Sequence, residues 1–270
     1  MTPPPKQQSI ILGFAKFSML VYHSIVRDVR VRSGSAALGI LSEVGQILLF
    51  FTIFYLMYQI MGRSVAIRGD FFLYLLSGIF LLVVHMGGLS SVRKAGSSVS
   101  PMMMHSPMSV ILAIISGALA TLFLQIIAIM IILFFVFIFR DGITIYNPKG
   151  VIAPFFFAWA SGVSLGMVFR IASTVAPGPF GIFSKFYLRA QMISSGKFMP
   201  AAYLPASMVG WFSWNPLFHT IDQMRLAVFI NYTREITNMA YPIYFTMVCL
   251  VIGMMGDLWL RQFVSKSRHG

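Results

Sequence analysis

Apolar positions in this chain run on in long stretches rather than alternating with polar ones. About 20 residues of α-helix cross the hydrocarbon of a bilayer. Six stretches approach or exceed that length: Leu38–Ile60, Phe71–Leu89, Ser109–Phe139, Val151–Phe169, Pro179–Met199 and Ala240–Leu260. The third is longer than one crossing needs, so it tilts or projects beyond the membrane. The fifth is weak as a span because it carries Lys185, Arg189 and Gln191.

Two further segments break this rhythm. In Ser9–Val31, a turn of about 100° per residue puts Ile10, Phe14, Phe17, Val21 and Ile25 in one stripe and Lys16, His23, Arg27 and Arg30 opposite. This predicts an amphipathic helix lying in the interface, with its basic side toward the headgroups. A surface helix packed on the rest of the protein would read the same way. Asp28 falls on the apolar stripe and breaks it. Ala201–Trp214 is too apolar for a solvated loop and is flanked and interrupted by Pro200, Pro205 and Pro216. It reads as a re-entrant or interfacial segment, whose backbone must be covered by protein or line a water cavity. The expected fold is therefore all-α: a polytopic membrane protein in one unit over residues 1–270. It has six transmembrane helices, an N-terminal interfacial helix over 9–31 and a re-entrant segment between the fifth and sixth helices.

Composition agrees with lipid as the solvent. Only 10% of the 270 residues are charged, against about 25% in soluble domains, and the mean hydropathy is +0.83. The net charge of +13 would suggest nucleic acid in a soluble protein. In a membrane protein it is the ordinary excess that holds orientation and attracts anionic lipid, and no nucleic-acid partner is expected. With the N-terminus inside, the inner set is Lys6, Lys16, Arg27, Arg30, Arg32, Arg93, Lys94, Arg170, Lys185, Arg261, Lys266 and Arg268. The outer set is Arg63, Arg68, Arg140, Lys149, Lys197, Arg225 and Arg234, and this bias of 12 against 7 predicts that both termini are cytoplasmic. Met1–Gln8 lacks the apolar core of a cleavable signal, so the first span is expected to do the targeting. The one cysteine, Cys249, allows neither an intrachain disulfide nor a metal site, and no metal is expected.

Catalytic chemistry is hard to find. The seven acids, Asp28, Glu43, Asp70, Asp141, Asp222, Glu235 and Asp257, are scattered, and no Gly-rich phosphate loop is present. Most sit at span ends, as Asp257 does near the end of Ala240–Leu260; only Glu43 qualifies as a membrane-embedded acid, and an interfacial acid at the start of the first span is the simpler account. No catalytic residue or cofactor is expected, so an energy source would have to come from a partner. The loop Ser90–Met108 carries Arg93, Lys94 and a Met102-Met103-Met104-His105 cluster between Pro101 and Pro107. Met side chains fit irregular grooves, so the cluster reads as a docking knob or as a plain connection. Lys185 and Arg189, four apart, share a helix face that either lines a conduit for an anionic substrate or snorkels to the membrane edge. Tyr187, Trp211 and Trp214 suit sugar faces, although an interfacial aromatic belt is the commoner explanation.

At the level of motifs, the chain resembles the permease subunits of ABC exporters for capsular and related surface polysaccharides. Arg27-Asp-Val-Arg30-Val-Arg32-Ser-Gly34, then Leu38-Gly39, is similar to that family's Arg-Glu-Ile-Arg-x-Arg-x-Gly…Leu-Gly segment before its first span. Pro101-Met-Met-Met-His105-Ser106-Pro107 resembles its loop after span two. Trp214-Asn215-Pro216-Leu217-Phe218-His219, following Ile193-Ser-Ser-Gly196, resembles its segment before the last span and is the most specific of the three. The matches keep order over about Val26 to Leu260. Leu41-Ser-Glu43-Val-Gly-Gln46 replaces the Trp and Pro usual early in span one, Ser106 replaces an Arg, and Arg189 adds charge to span five.

The resemblance implies a bacterial inner-membrane permease that works as two copies, each docking an ATP-binding cassette subunit that holds ATP and Mg. Arg27, Arg30, Arg32, Arg93, Lys94, Met102, Met103, Met104 and His105 would couple to that subunit. Trp214, Asn215, Pro216 and His219 would form the outer-end motif. The cargo would be a polysaccharide, free or lipid-linked, with periplasmic and outer-membrane export proteins as further partners. An exporter of drugs or small lipids on the same fold, a membrane-embedded glycan-assembly enzyme and a structural subunit are the alternatives.

Overall fold

The structure, a computed structural model, describes residues 10–60, 70–95, 110–139, 144–232 and 236–267. Its elements in chain order are α1 (Ile10–Ser33), α2 (Ala36–Ile60), α3 (Phe71–Lys94), α4 (Val110–Phe139), a 3-10 turn (Pro148–Val151), α5 (Ile152–Val175), α6 (Pro177–Ser194), a second 3-10 turn (Ala201–Tyr203), α7 (Ala206–Ser213), α8 (Pro216–Val228) and α9 (Ala240–Ser267). The protein is an all-helical polytopic membrane protein. Among the described residues five helical segments are long and apolar enough to cross a bilayer: Ala36–Ile60, Phe71–Lys94, Val110–Phe139, Pro148–Val175 and Ala240–Leu260.

The expected fifth span is helical but is not among these five. It corresponds to α6, whose 18 residues reach only about 27 Å at 1.5 Å per residue. Pro177, Pro179, Gly181, Lys185, Arg189 and Gln191 dilute its hydropathy. The second expected span also runs on, with α3 ending at Lys94 rather than Leu89. Helix α3 begins on Asp70, whose side chain accepts from the Phe72 amide at 2.9 Å, a cap that satisfies one orphan donor.

Helix α3 is the axis of the fold. Its apolar window is 78% buried, against 17–50% for the other spans. It packs most extensively on α5, then on α4, α8 and α2. The α3–α5 contact is close because α5 presents glycine: a Cβ at Gly162 would lie 2.2 Å from the His85 carbonyl oxygen, and one at Gly166 would lie 2.8 Å from the Leu89 carbonyl oxygen. This Gly-x-x-x-Gly spacing lets two backbones approach where lipid supplies no hydrophobic drive between helices.

Helix α1 departs from a helix floating at the interface. Its C-terminal half packs on α4 and α2, with Val29 buried against Ala120 and Leu124, flanked by Ile25 and Ile40. Asp28, which broke the apolar stripe, accepts a hydrogen bond from Ser116 Oγ of α4 at 2.8 Å. The stripe faces protein here, and an acid is tolerated because a hydroxyl meets it. Farther toward the N-terminus, Phe17, Met19, Leu20 and Tyr22 are exposed.

Between α6 and α9 the segment Ala201–Trp214 is buried only near its start, at Ala201 and Leu204. None of the residues of α7 is buried, whereas most of α8 is, including His219, Asp222 and Arg225. A 13-residue buried helix is too short to span. Its polar side chains hid it in a hydropathy reading, because their partners lie elsewhere in the chain.

Candidate functional site

Polar side chains collect at three levels along α3, named here by its ends, Asp70 and Arg93. At the Asp70 end α8 closes the bundle. Its entry is set by Asn215, whose Oδ1 accepts from the Leu217 amide at 2.9 Å while Nδ2 donates to Ser194 Oγ at 2.9 Å. Pro216 takes the first helical position, where its missing N–H is harmless. His219 Nε2 lies 2.9 Å from the Ser213 carbonyl, and its ring stacks on Tyr241, centroids 4.7 Å apart. The Tyr241 hydroxyl donates to the Trp214 carbonyl at 2.6 Å. Burial lowers the His219 pKa. The expected outer-end motif, Trp214, Asn215, Pro216 and His219, is thus one corner joining α7, α8 and α9.

Arg225, only 1% exposed, holds this corner to the rest. Its two terminal nitrogens donate to the carbonyls of Gly196 at 2.8 Å and Lys197 at 2.7 Å. Its guanidinium carbon sits 4.0 Å from the centroid of the Tyr74 ring. The Tyr74 hydroxyl donates to the Phe198 carbonyl at 3.1 Å, and Tyr58 donates to the same oxygen. Gly196 itself has φ of +73°, a turn that favours glycine. Lys197, 2% exposed, lays its Nζ over the rings of Phe54 and Phe198 at 4.6 and 4.8 Å and makes no hydrogen bond there. Burial pulls its pKa down to about 8. The acid of the cluster, Asp222, accepts from Tyr232 and, at 2.7 Å, from Thr237 Oγ1.

Midway, His85 is fully buried. Its Nδ1 lies 3.2 Å from the Ala158 carbonyl and 3.0 Å from Ser161 Oγ, and its Nε2 lies 3.1 Å from Gln191 Nε2. A single neutral tautomer satisfies this set: Nδ1–H donates to α5 and Nε2 accepts from the amide of α6. The network ties α3, α5 and α6 inside the membrane. At the Asp257 position of α9 a second tie appears, where Arg170 of α5 pairs with Asp257 in a buried ion pair.

Toward the Arg93 end, α2, α3 and α4 enclose a cavity of about 220 Å³, with Leu188 of α6 on one side. Glu43, Gln46, Ser90, Arg93, Thr121 and Gln125 line it. Gln125, 1% exposed, donates from Nε2 to the Val83 carbonyl at 3.1 Å, while its Oε1 has no partner. The amide sits there because α3 has Gly87: a Cβ would come within 2.1 Å of Gln125 Nε2.

The structure sorts the expected residues. Arg27 is half-buried beside Asp28 at 3.0 Å, Arg30 and Lys94 are exposed, and Arg93 enters the cavity wall. The side chain of Arg32 and all of Met102, Met103, Met104 and His105 lie outside the described residues. Of the expected conduit set, Tyr187 and Trp214 meet edge to face at 6.2 Å, and Trp211 is 78% exposed. Lys185 and Arg189 are exposed, two residues either side of Tyr187 and so turned away from it. The three conduit residues on α6 therefore divide between two of its faces, and the two tryptophans lie on and after α7. His85, Gln125, Arg225 and Asp222 were missed. A lone polar residue in an apolar run, as His85 and Gln125 are, was the available signal. Among the described residues no three metal-ligating side chains converge.

No family model matches the chain. It is 23% identical over 247 residues to the polysialic acid transport protein KpsM of Escherichia coli, a match that covers 90% of this chain and 93% of that protein.

Proposed function

We propose that this protein is the membrane permease of an ATP-driven exporter that moves a polysaccharide out across a bacterial inner membrane. The end-to-end similarity to a polysialic acid transport protein carries the reading, because it spans the bundle, the α7–α8 corner and α9 together. A chain of membrane helices with scattered acids and no phosphate loop gives an obvious place to a partner that burns ATP. The Arg93 end faces the cytoplasm in this reading. There the last turn of α3 carries Arg93 and Lys94, and Arg30 is exposed on α1, a basic surface for an ATP-binding cassette subunit. ATP and Mg belong to that subunit. The exposed apolar side chains of α2 and α6, such as Leu49, Ile53, Phe183 and Phe186, meet lipid or a second copy, and the α7–α8 corner closes the outer end.

Co-purification tests this. The full chain is expected to capture a co-expressed ATP-binding cassette subunit, and inverted vesicles holding both are expected to take up sugar polymer only with ATP. Serine in place of Met102, Met103 and Met104 is expected to release the subunit. Uptake without nucleotide, or turnover of a glycan by the chain alone, overturns the reading.

A further inference from the structure

We propose that the cavity between α2, α3 and α4 binds one sugar ring of the cargo, a proposal that rests on the exporter reading. Its wall is a carboxylate, two amides, two hydroxyls and a guanidinium: Glu43, Gln46, Gln125, Ser90, Thr121 and Arg93. Such a mixture of donors and acceptors matches neighbouring ring hydroxyls, each of which both gives and takes a hydrogen bond. It suits a bare phosphate poorly, because Glu43 opposes the charge that Arg93 attracts. It suits an acyl chain worse, because the buried Gln125 Oε1 would stay without a partner.

Depth and size agree. Gln46 is exposed and Glu43, Ser90 and Arg93 are half-buried at the mouth, while Thr121 and Gln125 form a buried floor. The unpartnered Gln125 Oε1 is a buried acceptor that a ligand hydroxyl or a water would satisfy. A volume of about 220 Å³ is below the roughly 300–1,000 Å³ of sites for drug-sized ligands. It holds one ring while the rest of a polymer lies outside the mouth. Glu43 and Gln46 place a carboxylate and an amide in the first half of an otherwise apolar α2, and both line the cavity.

Saturation-transfer NMR on the full chain in nanodiscs tests the site, with methyl glucoside, sialic acid, glycerol and inorganic phosphate as probes. One of the two ring sugars is expected to bind with a Kd of order 1 mM, and Gln125→Leu is expected to weaken it about tenfold by orphaning a ring hydroxyl. Gln46→Ala, at the exposed mouth, repeats the test without touching the packed floor and is expected to weaken binding severalfold. No ring sugar binding at about a hundred times that Kd, or binding unchanged in both variants, overturns the site. Phosphate or glycerol binding as well as the sugars does the same. Sugar binding with no ATPase capture overturns the exporter reading and leaves the site standing. ATP-driven export with an unresponsive cavity does the reverse.

Discussion

Replacing Arg225 with Met keeps the buried stem and removes the fork that joins α8 to the turn after α6. The carbonyls of Gly196 and Lys197, held at 2.8 and 2.7 Å, lose their donors. An orphaned buried polar group costs about 1–3 kcal/mol, so the pair costs about 2–6. The guanidinium 4.0 Å from the Tyr74 centroid adds about 2 kcal/mol as a desolvated cation–π contact. Relief from burying a charge offsets several kcal/mol. The net loss is about 3 kcal/mol, which for a chain of this size lowers an apparent Tm by about 6–12 °C. Thermal unfolding in detergent at one fixed scan rate measures it. Arg225→Lys keeps the charge but cannot span both carbonyls, so it is expected to recover less than half. A Met variant melting within about 2 °C of the parent would refute the latch.

Three further outcomes follow from the packing. Gly162→Val drives a side chain into the His85 carbonyl, 2.2 Å from the added Cβ; it is expected to part α3 from α5, seen as loss of folded monodisperse protein on size exclusion, whereas Gly45→Ala, with open space at its Cβ, leaves it intact. Asp257→Ala strands the buried Arg170 and is expected to cost about 3–5 kcal/mol, while Arg170→Met with Asp257→Leu is expected to restore most of it; a double variant no better than the single one counts against an ion pair. Lys197 has a pKa pulled down to about 8 from 10.5, so between those values the unfolded chain binds more protons and stability rises with pH; apparent Tm is expected to climb from pH 8 to 9.5, with a shallower slope in Lys197→Met, and equal slopes in both would refute the assignment.

Much was legible in the chain before folding. Spans one to four and six were visible because a bilayer demands about 20 apolar residues whatever packs beside them. The segment Trp214–His219 stood out in the sequence only by its resemblance to a family motif, and the structure shows why it turns there: Asn215 caps α8 and Pro216 takes its first position. Asp28 was legible only as an anomaly, since its partner Ser116 lies 88 positions away.

Hydrophobicity along the chain, then, determined that this protein lives in a membrane, roughly where it crosses, and that it is all helix. Tertiary structure decided which helix is the axis, which polar groups are buried and what they do. Hydropathy prices each residue against water or lipid alone. Arg225, His85 and Gln125 look costly on that scale, and only carbonyls, rings and amides brought from distant segments turn them into a latch, a tie and the floor of a cavity.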